Sequence, residues 1–332
     1  MKIPRQILKL ALILLTGAVL LFARTGYVLM KPGTVENLES LVSVEGAERE
    51  NGGSFYLVTV TQQQASPLLM IYALFVGNVD LAPSRRLIPP GMDMKRYNEM
   101  MHRWMEESQN LARVIAFRRA GFFVPITSDG VEVVEVGRDG PAQGILAAHD
   151  IIMSVDGIQV FLAHELVNIV QLRRIGDPVT LRVLRAGREL IVTVPTVSHP
   201  EDSGRAALRV LVQTFNWRPQ LPRGVEIDAG EITGPSAGLM FVLEILDQLE
   251  EHDLSAGRLI AGTGTINLQE QVGSVGGVRQ KVAAAEKAGA EYFLVPRENY
   301  EEALAVSRKI NLVPVSTLSE ALIFLSDLEN KI

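Results

Sequence analysis

Two residues far apart in the chain have side chains suited to nucleophilic chemistry. Ser236 lies in Gly234-Pro235-Ser236-Ala237-Gly238, which opens an apolar, helix-forming run from Leu239 to Leu249. Proline is tolerated just inside a helix start, because its missing N–H would be unpaired there anyway. Small residues on both sides leave the Ser236 hydroxyl approachable. The first N–H groups of a helix point outward with the positive end of its dipole, which suits a developing oxyanion. Taken alone, the plainer reading of Ser236 is an ordinary helix N-cap.

A serine nucleophile needs a base. The five histidines are His102, His149, His164, His199 and His252, and none forms an HExxH pair, which excludes a zincin. His252 lies beyond the far end of the helix that Ser236 opens, so a Ser–His pair is weak on geometry. Lysine can act as the base only when neutral, and both burial and a nearby helix N-terminus lower its pKa. Lys281 meets those conditions in the helix-like stretch Val278–Ala288, directly after Gly276-Gly277 and among Val278, Val282 and Ala285. Most lysines are solvated surface groups, and Lys281 by itself has that plainer reading too. Cysteine is absent, which removes disulfides, thiolate metal sites and Cys nucleophiles together. Lys and Arg number 32 against 38 Asp and Glu, a net charge of −6, so the basic footprint of a nucleic-acid binder is missing.

Three motifs in order carry more than either residue alone. Gly234-Pro235-Ser236-Ala237-Gly238, then Thr263-Gly264-Thr265-Ile266, then Val275-Gly276-Gly277-Val278-Arg279-Gln280-Lys281 resembles the proteolytic domain of the Lon protease family. The resemblance covers residues 205–332 and extends through Ala288-Gly289-Ala290 and Val295–Asn299. It implies a Ser–Lys dyad of Ser236 and Lys281, with Thr263 steadying the lysine amine. It also implies the backbone N–H groups of Ser236 and Ala237 as oxyanion donors. Two positions depart from the family. Thr233 stands three before the serine where Lon proteins usually carry Asp, and Thr265 replaces the Glu of Thr-Gly-Glu-Ile. Full Lon enzymes also carry a phosphate-cradling GxxxxGK[ST] loop, which this sequence lacks. No cofactor and no ATP are therefore expected.

Elements ahead of that domain must position or feed it. Residues 121–198 alternate strand, Gly140-Pro141-Ala142 turn, strand, the helix Phe161–Leu172, and the hairpin Val179–Leu184/Leu190–Val194. This order resembles a PDZ domain, which implies capture of extended peptides or protein C-termini by strand addition. Ala120-Gly121-Phe122-Phe123 sits where such a domain's carboxylate loop would lie. Residues 31–120 read as short strands and turns (Asn51-Gly52-Gly53, Pro89-Pro90-Gly91), followed by a helix capped by Asp93 and running to about Arg119. Its stripe Met94, Tyr97, Met101, Trp104, Met105, Leu111 and Ile115 reads as a packing face. His199–Gly204 reads as a linker.

The N-terminus carries Lys2, Arg5 and Lys9 before an apolar run, and residues 8–30 are expected to form an uncleaved transmembrane anchor, with a cleaved signal peptide as the alternative. The expected fold class is thus α+β multidomain, with an N-terminal transmembrane helix over 1–30, a mixed region over 31–120, a PDZ-like domain and a Lon-type proteolytic domain. The whole resembles the bacterial membrane-anchored, PDZ-containing Lon-like proteases. That implies an ATP-independent serine endopeptidase at the cell membrane with an extracytoplasmic catalytic domain, and it allows a homo-oligomer. The alternative function is a non-catalytic PDZ scaffold with an inactive Lon-like domain.

Overall fold

A computed structural model describes residues 5–47, 52–88, 92, 94–199, 203–250 and 252–330. The Asp93 cap, the Pro89–Gly91 turn, Asn51 of the turn at 51–53 and Pro200–Asp202 of the linker lie outside the described residues. The chain divides into two compact units, one formed by Met1–Phe122 together with Arg223–Ile332 and the other by Phe123–Pro222.

In the first unit the chain begins with α1 (Arg5–Phe22), β1 (Tyr27–Asn37), β2 (Val42–Val44), β3 (Ser54–Gln64), α2 (Pro67–Phe75), β4 (Asp80–Pro83), α3 (Ser84–Leu87) and α4 (Met94–Arg119). The second unit holds β5 (Ile126–Thr127), β6 (Gly130–Val136), β7 (Ile151–Val155), β8 (Ile158–Gln159), α5 (Ala163–Gln171), β9 (Pro178–Arg185), β10 (Arg188–Pro195), β11 (Val197–Ser198), β12 (Ala206–Ala207), β13 (Val210–Phe215) and β14 (Arg218–Pro219). The first unit then resumes with β15 (Val225–Ile227), α6 (Gly238–Leu249), β16 (Leu259–Gly262), β17 (Thr265–Ile266), β18 (Val272–Gly273), α7 (Val278–Lys287), β19 (Tyr292–Pro296), α8 (Tyr300–Leu304), β20 (Asn311–Val315) and α9 (Leu318–Glu329).

The first unit is built on a six-stranded mixed sheet in the order β20-β19-β16-β3-β1-β4. β3 pairs parallel with β16 and antiparallel with β1, so strands from both ends of the sequence share one sheet. The buried strand residues are apolar in runs, as a sheet covered by helices requires. Val58, Ala261, Phe293 and Val295 meet Val278 and Val282 of α7 in one core. α6 is apolar on nearly every side and correspondingly has nine buried residues, Gly238 through Leu246.

These contacts correct the expected boundaries. Residues 31–120 are not a separate region, because β1, β3 and β4 complete the sheet that also holds the C-terminal strands. Residues 27–30 are not the end of an anchor. Val28, Leu29 and Met30 lie in β1 and are buried in the core, which is why they are apolar. α1 ends at Phe22; its 18 residues span about 27 Å, short of the ~30 Å hydrocarbon thickness of a bilayer. Among the described residues no helix is long and apolar enough to cross a membrane, so the transmembrane element of the expected fold class is not borne out.

The second unit is an antiparallel five-strand path, β10-β9-β7-β6-β13, with β8 paired to β7. Val131, Val133, Ile152, Val179, Leu181 and Val183 form its core, and Leu166 and Val170 of α5 pack into it. The β9–β10 hairpin turns at Ala186 and Gly187, with φ of 47° and 78°, the paired positive values that a type I′ turn needs. The unit runs on to Pro222 rather than ending at 198, because β13 hydrogen-bonds to β6 as an edge strand of this sheet.

Candidate active site

Ser236 is presented by a tight turn rather than by a capped helix. Pro235–Ala237 form one 3-10 turn, and α6 follows from Gly238. No side-chain cap bond is made at either start, so the N-cap reading of Ser236 falls away. Gly234 enters the turn at φ 91°, and a Cβ there would meet the Met101 methyl at 2.7 Å. Both strain and lack of space therefore favour glycine at that position. The Ser236 carbonyl accepts from the Gly264 N–H at 2.8 Å and from the Thr263 hydroxyl at 3.0 Å. Leu239 N–H in turn donates to the Gly264 carbonyl at 3.1 Å, locking the turn to the strand end that carries Thr263.

Lys281 reaches the same point from α7. Gly277 caps that helix at φ 70°, and Lys281 lies in the first turn, with its N–H donating to the Gly277 carbonyl at 3.1 Å. Its Nζ is 2.8 Å from Ser236 Oγ and 2.8 Å from Thr263 Oγ1. Lys281 is only 2% exposed and Thr263 1%, so the amine is enclosed and its hydrogen bonds face little competition from water. Burial lowers the Lys281 pKa from its ordinary value to about 7. The positive end of α7 acts in the same direction, because it disfavours a cation in the first turn.

The structure brings Ser236, Thr263 and Lys281 together. Ala237 occupies the same turn as Ser236. His252 does not join them. It lies past the C-terminus of α6, whose 12 residues alone span about 18 Å. Among the described residues no group of His, Asp or Glu is arranged to hold a metal.

Several supporting residues had no signal of their own in the sequence. Ser108 of α4 donates its hydroxyl to the Pro235 carbonyl at 3.2 Å, and the Gly234 N–H donates to the Met101 carbonyl at 3.0 Å. The Met-rich stripe is therefore a packing face, and part of what it packs against is the turn holding Ser236. Asp80 of β4 accepts from Gln280 Nε2 at 2.7 Å and pairs with Arg279 at 3.5 Å, tying the start of α7 to the sheet edge. Gln280 is fully buried, so this bond satisfies an amide N–H that water cannot reach, while its Oε1 is left without a partner among the described residues. Only the adjacency of Gln280 to Lys281 hinted at it.

The carboxylate-loop expectation fares differently. Ala120, Gly121 and Phe122 belong to the first unit, where the Phe122 ring packs edge-on against Phe117 at 5.5 Å. Phe123 opens the second unit and is 88% exposed. None of the four lines the groove of the second unit, a cleft of about 250 Å3 between α5 and the segment 206–212, walled by Leu166, Val170, Leu208, Val210 and Val212. Pro125 offers no N–H to a ladder, so the segment after Phe123 forms only the short β5, which pairs with β14. β13 (Val-Leu-Val-Gln-Thr-Phe) takes the place beside β6 instead.

Comparison with known proteins agrees with this geometry. Residues 225–325 match the family model of the Lon protease (S16) C-terminal proteolytic domain, and residues 107–196 match that of the PDZ domain. The chain is 31% identical over 101 residues to the archaeal Lon protease of Halobacterium salinarum, covering 30% of this chain and 14% of that protein. It is 34% identical over 101 residues to Lon protease 2 of Bacillus subtilis, covering 30% of this chain and 17% of that protein. The chain therefore spans less than a fifth of the length of these relatives. One chain thus carries a segment matching the Lon protease (S16) C-terminal proteolytic domain and a segment matching the PDZ domain, a combination consistent with a PDZ-containing Lon-like protease.

Proposed function

We propose that the chain is a serine endopeptidase in which Ser236 and Lys281 form the dyad. The observation that carries this reading is the 2.8 Å approach of a buried amine with a pKa of about 7 to a serine hydroxyl. A neutral amine has two N–H groups and one lone pair. The Thr263 proton is committed to the Ser236 carbonyl, so Thr263 Oγ1 offers only lone pairs to the amine. Lys281 donates to Thr263, and its own lone pair is left facing the Ser236 hydroxyl.

The reaction follows from that arrangement. Lys281 takes the hydroxyl proton as Ser236 Oγ bonds to the scissile carbonyl carbon, and negative charge moves to the carbonyl oxygen. The backbone N–H groups of Ser236 and Ala237 receive that oxyanion. The ammonium of Lys281 then protonates the leaving amine as the C–N bond breaks, leaving an acyl-serine. Water gives a proton to the neutral lysine and attacks the ester, and that proton returns to Ser236 as the acid product leaves. No carboxylate contributes to the Lys281 shift, consistent with threonines at 233 and 265 where the family carries acids.

Substrate choice falls to the PDZ domain. An extended peptide adds along edge strand β13, its apolar side chains in the α5 groove. Without a phosphate-binding loop the protease works without ATP, on chains already unfolded or presenting a free terminus. Lys2, Arg5 and Lys9 at the start of the apolar stretch support association of α1 with an anionic membrane surface.

The test is the full chain in mild detergent, incubated with an unfolded protein and no ATP beside its Ser236→Ala variant. Fragments that form with the parent and vanish with the variant support the dyad. Equal cleavage by both would sink it, and cleavage by neither would favour the scaffold.

A further inference from the structure

α2 is anomalous among the helices. Its sequence is Pro-Leu-Leu-Met-Ile-Tyr-Ala-Leu-Phe, and none of its residues is buried. Leu74 and Phe75 are 78% and 82% exposed, and Leu68, Ile71 and Tyr72 each expose more than two fifths of their surface. No charged residue occurs from Ala65 through Val79. An exposed helix of a soluble protein keeps a polar face toward water, as α4 does with Lys95, Arg96 and Glu99. α2 has no such face, and a contiguous apolar patch of this kind marks an interaction site.

Its position indicates the partner. The Thr25 hydroxyl donates to the Ala65 carbonyl at 2.6 Å, and the Ala65 N–H donates to the Tyr27 carbonyl at 2.8 Å. The start of α2 is therefore fastened to the point where the chain leaves α1. α2 packs beside α1, on which Leu14, Leu15, Val19, Leu21 and Phe22 are also exposed. The Ser84 N–H donates to the Gly26 carbonyl at 2.9 Å, bringing α3 to the same junction with its exposed Arg85 and Arg86. Two apolar helices, bordered by Tyr27, Tyr72 and arginines, reproduce the layering of a bilayer surface: hydrocarbon, then aromatic rings, then anionic headgroups. A protein partner would be met by a polar rim with hydrogen-bonding side chains, and α2 supplies only the Tyr72 hydroxyl.

From this we infer that α2 is a second lipid-contacting element, lying within the interface of a phospholipid bilayer next to α1. Its nine residues span about 13 Å, which suits a helix lying in the interface and is far too short to cross. Its backbone is bonded internally, so only side chains meet the lipid. The inference rests on the membrane association proposed for α1. It adds that the unit carrying Ser236 is held against the surface at two places, which fixes its orientation rather than only its tether.

The chain has no cysteine, so single labels can be placed without background. Phe75→Cys, Leu14→Cys and Ile323→Cys, each carrying an environment-sensitive nitrobenzoxadiazole group, would be reconstituted in phosphatidylcholine–phosphatidylglycerol vesicles. Leu74→Cys repeats the α2 measurement at a neighbouring exposed site. Each label is then challenged with spin-labelled lipid and, separately, with aqueous iodide. The expected result is blue-shifted emission at 75 and 14, quenched several-fold more by the lipid probe than by iodide, with the reverse at 323. A label at 75 open to iodide while that at 14 sits in lipid would overturn the α2 inference and leave α1 association standing. Labels at 75 and 14 both open to iodide would overturn both readings. A label at 75 shielded from both quenchers would mean that protein covers α2, and would overturn the lipid assignment in favour of a second copy of the chain.

Discussion

Thr263→Val removes one hydroxyl from a buried site and changes little else in side-chain shape. Lys281 Nζ loses one of the two partners it has at 2.8 Å, and the Ser236 carbonyl keeps only the Gly264 N–H. Leaving a buried N–H unsatisfied costs about 1–3 kcal/mol. If that cost falls on the reactive geometry, at about 1.4 kcal/mol per tenfold, kcat falls roughly 5- to 150-fold. KM should barely move, since Thr263 is only 1% exposed and has no surface to offer a peptide. The pH profile gives a second, independent readout. In the proposed dyad neutral Lys281 is the base, so activity of the parent should rise as pH passes through about 7. A hydrogen bond to an ammonium is stronger than one to an amine, so Thr263 holds the pKa up relative to a site without it. Removing it should move the acid limb of the profile to lower pH even as the plateau drops. Hydrolysis of a fluorogenic peptide across that range measures both, and Thr263→Ser should restore both. A valine variant with parental kcat and an unmoved limb, or a limb that moves to higher pH, would refute the assignment of Thr263 as a positioning residue.

Lys281→Met should abolish cleavage and also stabilise the fold. The folded pKa of about 7 lies below the ordinary lysine value, so only the unfolded chain takes up this proton as pH falls from about 10.5 to 7, and stability drops over that window. The methionine variant escapes that loss and should exceed the parent by up to a few kcal/mol at neutral pH, an advantage that fades above about pH 10; urea melts at both pH values measure it. Asp80→Ala strands the buried Gln280 amide and frees the start of α7, so it should cost about 1–3 kcal/mol and lower kcat with little change in KM. Asp150 is fully buried and accepts from Arg185 Nε and Nη2, each at 2.7 Å, and from the Ala147 N–H at 2.8 Å. Asp150→Ala should therefore destabilise the second unit by about 2–4 kcal/mol in thermal melts, while hydrolysis of a short peptide that needs no docking stays at the parental rate.

The candidate site was more legible in the sequence than the fold around it, and the reason is locality. Ser236 and Lys281 each sit beside glycines that mark a helix start, so the local chain announces where a side chain will be presented. Thr263 was reached only through its motif, because nothing about an isolated threonine signals that it will face an amine. Ser108, Met101 and Asp80 act through pairings made across 100 residues or more of sequence, and hydrophobic periodicity carries no information about such partners. The same limit explains the misplaced boundaries. Val28-Leu29-Met30 is apolar in the manner of a membrane segment and in the manner of a buried strand, and only pairing with β3 decides between them. β13 is rich in strand-forming residues, but composition cannot say which sheet it joins; pairing with β6 does.

The parallel pairing of β3 with β16 bears on how the protein is made. Phe55 and Tyr56 meet their partners Ile260 and Ala261 only after some 200 further residues have been synthesised, including the whole second unit. Until then β3 lacks its partner on that flank, and closing so large a loop is slow. Thr263 stands directly after β16, and α7 follows later still, so no growing chain can assemble the Ser236–Thr263–Lys281 cluster before α7 has emerged. A chain interrupted at any earlier point, or clipped within the second unit and then separated, lacks either the lysine or the strands that bury it. Assembly of the proposed dyad is thereby delayed by topology until β16 and α7 have both been made.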